Sequence, residues 1–221
     1  MGLLPYRVQR LIRDFREPRV FARGMKGFLA DPAACADPAN PALKDLVYGW
    51  GNTAWSAHAD YLATCVAHAF SARGATMECG SGLSTLILAA ISATTGCPHW
   101  ALEHSPEWGA KVQSTMDKYN LGAHLSIRPL KDYGGFSWYD PPLAEMPMFH
   151  LAVCDGPPSQ TKGGRYGFLP VMEKNLAPGC VILLDDVIKG RAIAKRWESE
   201  FRAASRQVDA QKLYIELVMP R

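Results

Sequence analysis

The sequence predicts an α/β fold: a doubly wound, mostly parallel sheet of six or seven strands with an N-terminal helical cap. Three observations carry this. From Ala75 onward, short apolar runs alternate with helical segments through the rest of the 221 residues. These runs stay apolar rather than alternating with polar residues, as strands buried on both faces do. Four of them end on acids: Glu78, Glu103, Asp155 and the pair Asp185-Asp186. Alternation of this kind with right-handed crossovers gives a Rossmann-like sheet, and ligands sit beyond the carboxyl ends of its strands.

In order, residues 1–70 read as the helical cap or lid and residues 71–221 as the sheet domain. Residues 1–30 are amphipathic, through Leu4, Val8, Leu11, Ile12 and Phe15, with a break expected near Pro18. Asp31 to Pro41 reads as loop, and Trp50 to Trp55 as a turn with two large aromatics. Tyr61, Leu62, Cys65, Val66, Ala69 and Phe70 then keep helical spacing. The first strand is Ala75–Cys79, and the apolar run from Leu83 to Ala93 is a buried helix. The second strand, His99–Leu102, ends at Glu103. Its helix opens at Ser105-Pro106-Glu107, an N-cap with proline in the first turn. A third strand, His124–Arg128, precedes a long loop from Pro129 to Pro147. The fourth is Phe149–Cys154 and the fifth Val181–Leu184. A helix over Arg191–Ala204 and a strand over Leu213–Met219 finish the chain.

The composition is 48% hydrophobic, enough for one sizeable core. Nothing resembles a signal peptide, and no apolar run reaches the ~20 residues of a membrane span. Six scattered cysteines without a C-x-x-C pair read as free buried thiols and point to a reducing, cytoplasmic setting. They offer neither a structural zinc site nor an iron–sulfur cluster. Residues 1–27 carry +5 while the remainder carries −2. That arm either touches nucleic acid or acidic lipid, or is a solvated helix face; arginines recurring every three residues favour the solvated face.

The turn Glu78-Cys79-Gly80-Ser81-Gly82 is the centre of the functional reading. A strand, a glycine turn and a helix bring backbone N–H groups and a positive helix end against a nucleoside. Gly80 and Gly82 mark places where a side chain would block that approach or where φ must be positive. Glu78 suits a ligand with an ammonium group. Glu103, about twenty residues later, suits ribose hydroxyls. A dinucleotide fingerprint would need a third glycine where Thr85 stands, which counts against NAD.

Glu78 to Thr85 resembles the first motif of the class I S-adenosylmethionine-dependent methyltransferases. Leu102-Glu103-His104 resembles the second motif, Leu151 to Pro158 the fourth, and Leu183-Leu184-Asp185-Asp186 the fifth strand. The resemblance covers residues 75–205. It implies S-adenosylmethionine as cofactor, with Glu78, Gly80, Ser81, Gly82 and Ser84 at the methionine end and Glu103 on the ribose. His104 would lie beside the adenine, with Asp132 and Tyr133 at its edge, and Asp155 would face both cofactor and acceptor. The family has two strands after the last helix, of which only Leu213–Met219 is visible here.

Asp155, Asp185 and Asp186 resemble the divalent-metal triad of the catechol-type O-methyltransferases. Three oxygen ligands would leave Mg²⁺ open positions for an acceptor hydroxyl, whose proton the metal would loosen. Against this, Asp186 can cap the following helix and Asp155 can pair with Arg165. The lysine expected just after the first acid is also absent. Tyr139-Asp140-Pro141-Pro142 imitates an amino-methyltransferase motif but precedes the fourth strand, which argues against nucleic acid as a partner. His58, His104, Tyr133 and Tyr166 are candidate bases. Trp50, Trp55, Phe136, Trp138 and Tyr139 either shape an acceptor pocket or pack the core.

The expected protein is a cytoplasmic methyltransferase acting on a small molecule at oxygen, with Asp155 catalytic and a homodimer compatible. The alternatives are a nucleic-acid or protein N-methyltransferase using the basic arm, and a non-catalytic binding protein of the same fold.

Overall fold

The computed structural model describes residues 6–51, 57–185, 187–210 and 213–221. A seven-stranded sheet runs through it. In chain order its strands are β1 (Ala75–Cys79), β2 (His99–Glu103), β3 (His124–Ile127), β6 (Phe149–Cys154), β7 (Leu176–Asp185), β8 (Ala204–Val208) and β9 (Tyr214–Val218). Their spatial order is β3-β2-β1-β6-β7-β9-β8. The first five are parallel; β9 lies antiparallel to β7, and β8 antiparallel to β9. The order reverses at β1, which pairs β2 on one side and β6 on the other, so β1 and β6 bound the switch point. A separate antiparallel hairpin, β4 (Leu130–Asp132) with β5 (Ser137–Tyr139), stands outside the sheet.

Helices cover both faces. On one lie α1 (Tyr6–Ala30), α2 (Pro41–Trp50), α3 (Ala59–Ser71), α4 (Leu83–Thr95) and α5 (Pro106–Lys118). Their buried side chains, among them Met25, Phe28, Leu46, Tyr61, Leu86 and Val112, form one core with Leu151, Val153 and Leu183 of the sheet. The N-terminal helices thus share the core of the sheet. On the other face α6 (Phe168–Met172), α7 (Val187–Phe201) and the β4–β5 hairpin bury Trp138, Tyr139, Phe168 and Trp197 against Met77, Cys79, Ala152 and Ile182. The five side chains of β1 are buried on both faces, as a central parallel strand requires.

Four details differ from the sequence reading. Helix α1 runs through Pro18 without a break. Pro18 is exposed, where water can satisfy the carbonyl that loses its N–H partner. Residues 41–50 are helix, entered through Asn40, whose side chain accepts from the Ala42 amide, and closed by Gly51 at φ +73°. The stretch from Pro129 to Pro147 contains the β4–β5 hairpin. The strand not visible in the sequence before the last one is β8, which starts on the final residue of the helix expected over Arg191–Ala204. Trp55, Asp186 and residues 1–5 of the basic arm lie outside the described residues. Among the described residues, no helix is long and apolar enough to cross a membrane.

Candidate functional site

The tips of β1, β2, β6 and β7 form the rim where the sequence placed its candidate residues. At the switch point the turns after β1 and β6 touch. The Asp155 and Gly156 amides both donate to the Cys79 carbonyl, at 3.1 and 2.5 Å, and the Gly80 amide donates to Leu102 on the other side at 2.9 Å. Gly80 has φ +84°, and a Cβ there would come within 3.0 Å of the Gly156 nitrogen. A Cβ on Gly156 would strike the Tyr139 hydroxyl and come within 2.9 Å of Gly80. Both glycines are required by this close approach. Gly82 is different. Its φ of 175° is extended and nothing lies within 4 Å of where a Cβ would stand, so any steric need for glycine there would have to come from a ligand.

Glu78, on the face of β1 toward α3, is buried with its Oε1 3.5 Å from His99 Nε2. His99 Nδ1 is in turn 2.9 Å from the Thr76 hydroxyl. Neither Glu78 oxygen has a hydrogen-bond donor among the described residues, and a buried polar group left so is costly. Glu103 is the opposite case. Its Oε2 accepts from the Ser81 amide and hydroxyl, both at 2.9 Å, and its Oε1 from the amides of His104 and Ser105 at 2.7 and 2.8 Å. Trp108 Nε1 donates to the Ser81 carbonyl at 2.6 Å, so the glycine turn is held from two sides.

His104 stands partly exposed at this rim, Nδ1 3.0 Å from Glu103 Oε1 and its ring edge-on to Tyr139. The Tyr139 hydroxyl is buried with no hydrogen-bond partner among the described residues. Burial pushes it well above the usual tyrosine range, and Cys79, Glu103 and Asp155 push further the same way. Burial likewise raises the Cys65 thiol, followed by Glu78, Asp185 and Asp155. The acids of β1, β6 and β7 therefore act on one region. Ser84 is buried in the first turn of α4.

Asp132 and Tyr133 sit on the hairpin. Asp132 is exposed, accepts from the Gly134 amide and pairs with Lys162 at 3.3 Å, contacts that lower its pKa. The Tyr133 hydroxyl donates to the Tyr139 carbonyl. Tyr166 donates to Glu200 beneath Arg196, and His58 is exposed at the start of α3. Trp138 and Tyr139 are core, and Trp50 packs on Phe21 and Trp108. Asp140, of the imitation motif, pairs with Lys131 at the surface.

No protein-family model matches the chain, and no curated protein does. Solved structures match it. The Bacillus cereus O-methyltransferase in complex with SAH superposes with TM-score 0.57 at 17% identity, over 80% of this chain and 90% of that one. The SAH-bound Podospora anserina methyltransferase gives TM-score 0.57 at 12% identity, over 100% of both chains. The C-terminal domain of precorrin-6Y C5,15-methyltransferase from Rhodobacter capsulatus gives 0.53 at 15%, over 75% and 91%. The fold is the methyltransferase fold.

Of the expected metal triad, Asp155 and Asp185 are among the described residues. Among the described residues no three His, Cys, Asp or Glu groups stand together as metal ligands, and Asp186 lies outside. Asp155 Oδ1 instead takes a hydrogen bond from Arg165 Nη2 at 2.9 Å. The same guanidinium donates through Nε to the Asp155 carbonyl at 2.9 Å, and through Nη1 to the carbonyl of the buried Asp185. The guanidinium thus bridges the tips of β6 and β7. Sequence reasoning named Arg165 only as a possible partner of Asp155, and missed His99 and Trp108, which carry no motif.

Proposed function

We propose that this chain is an S-adenosylmethionine-dependent methyltransferase acting on a small molecule at oxygen. The observation that carries the reading is the meeting of the Gly80 and Gly156 turns across the switch point, with Glu78 and Glu103 buried on either side. A ligand beyond these tips meets bare backbone and two carboxylates, one of them lacking donors.

The cofactor would supply the sulfonium methyl, and the chain's residues would orient it. Glu78 would take the ammonium group, which supplies the donors its oxygens lack. Backbone around Gly80, Ser81, Gly82 and Ser84 would hold the methionine end. Glu103 would receive the ribose hydroxyls on the lone pair that the Ser81 hydroxyl now fills, with His104 beside the adenine and Tyr133 further along its edge. Asp132, tied to Lys162, would lie farther from the ring. Asp155, fixed by Arg165, would face the acceptor. Methyl transfer needs an in-line oxygen that has lost its proton, so positioning and a nearby base supply the catalysis. His104 is the candidate base left at the rim.

The likeness to an O-methyltransferase supports oxygen as the acceptor atom. The basic arm gives less support to a nucleic-acid substrate, because Arg23 is held by Asp45 and Arg13 by Glu17. Calorimetry with S-adenosylhomocysteine tests the reading. Binding of one ligand per chain with Kd of about 1–100 μM is expected. No heat at about 1 mM ligand would end it.

A further inference from the structure

The chain between β6 and β7 brings a positive charge, Arg165, into the rim of acids. After Asp155 it runs outward, then turns back through Gly163 at φ +76° and Gly164 at φ +56°. These are left-handed conformations that glycine adopts without strain. The short 3-10 turn Gly164–Gly167 follows, packed on the hairpin: a Cβ on Gly163 would strike Phe136, and one on Gly167 would strike Trp138 and Phe136. The turn is thereby fixed against the hairpin, and Arg165 reaches inward from it.

The Arg165 side chain is only 11% exposed. Its flat guanidinium spans the gap between two strand tips. Nε donates to the Asp155 carbonyl, Nη2 to that carbonyl and to Asp155 Oδ1, and Nη1 to the Asp185 carbonyl. A rigid fork with several donors suits such bridging, and a lysine would make fewer of these bonds. The charge is felt beyond these contacts. It counteracts part of the rise that burial imposes on the Tyr139 hydroxyl and the Cys79 thiol, both beside the β1 tip.

We propose that Arg165 is the resident cation of the acidic rim: it neutralises Asp155, locks the tips of β6 and β7 together, and competes with any divalent ion for the Asp155 carboxylate. Hard cations such as Mg²⁺ and Mn²⁺ require converging oxygens not already neutralised by a neighbouring positive charge. Here the two carbonyls and one carboxylate oxygen are directed at the guanidinium. The acceptor is therefore deprotonated by protein groups or by solvent, without metal assistance. This last consequence rests on the methyltransferase reading; the cation assignment does not.

The test is Mn²⁺ binding to the full chain after treatment with EDTA and desalting, read by loss of the free-ion electron paramagnetic resonance signal. Less than about 0.1 ion per chain is expected at about 1 mM Mn²⁺. Affinity for S-adenosylhomocysteine should agree within about two-fold between EDTA and MgCl₂ buffers. Arg165→Lys keeps a charge without the fork, and is expected to melt at lower temperature and still bind no Mn²⁺. Arg165→Gln, in chains that melt cooperatively, is expected to acquire Mn²⁺ binding that Asp155→Asn removes. Saturable binding of about one Mn²⁺ per wild-type chain, abolished by Asp185→Asn, overturns the proposal. So does a folded Arg165→Gln protein matching wild type in both melting and Mn²⁺ binding. Failure to bind S-adenosylhomocysteine would count against the methyltransferase reading alone, since the metal titration does not use it.

Discussion

The amide and hydroxyl of Ser81 both donate to Glu103 Oε2 at 2.9 Å, tying the turn after β1 to the tip of β2. With the His104 and Ser105 amides on Oε1, the carboxylate has its complement of about four donors filled. A ribose hydroxyl can enter only by replacing one of them, and the Ser81 hydroxyl is the only one that is not backbone. Ser81→Ala should therefore cost about 1–2 kcal/mol of stability. That is a fall of roughly 3–6 °C in melting temperature, with binding of S-adenosylhomocysteine unchanged or tighter. Clearly weaker binding would mean the hydroxyl itself touches the cofactor.

The two glycines of the turn should respond differently. Gly80→Ala meets a positive φ and the Gly156 nitrogen, and is expected to lose about 1–3 kcal/mol together with cofactor binding. Gly82→Ala meets neither, and its melting temperature should stay within about 2 °C of wild type. If it binds cofactor less well all the same, the ligand passes within contact distance of that Cα.

Alkaline pH should destabilise the fold through its thiols. Burial, with a smaller contribution from Asp31, pushes the Cys35 thiol up to about 11; burial and then Cys154 push Cys180 up to about 12, both from an ordinary 9.0. The unfolded chain releases these protons first, so their stability is complete below pH 9 and is lost as pH rises through the folded values. Melting temperatures should fall steadily between pH 9 and about 11, with a shallower slope for Cys35→Ala. A curve flat over that range, or identical slopes, would contradict this. Five of the six thiols are buried, so a disulfide reagent should find Cys97 first.

Asp140→Ala separates the small-molecule reading from the amino-methyltransferase one. Asp140 and Lys131 form an exposed pair 3.1 Å apart. Its loss should leave cofactor binding unchanged and move stability by less than about 0.5 kcal/mol. A large loss of turnover would restore the motif to candidacy.

Much of this was legible because buried parallel strands announce themselves. β1, β2 and β6 are short apolar runs ending on Glu78, Glu103 and Asp155, and their positions agree with the sequence reading to within a residue. β8 was hidden because it is an edge strand reading Ala-Ser-Arg-Gln-Val, without an apolar face. β4 and β5 have three residues each, too few for any period to appear. The rim was legible as a set of acids but not as a set of pairings. Nothing local in the sequence says that His99 reaches Glu78 from the neighbouring strand β2, or that Arg165 turns back between Asp155 and Asp185. Both pairings follow from crossovers and from two left-handed glycines, which only the folded chain brings to bear.

The most direct measurement is a crystal structure with S-adenosylhomocysteine bound. The ammonium nitrogen is expected about 3 Å from a Glu78 oxygen, with the ribose hydroxyls on Glu103 and the ligand lying across the Gly80 and Gly156 turns. A ligand bound elsewhere, or bound there with Glu78 still facing only His99, would contradict the account.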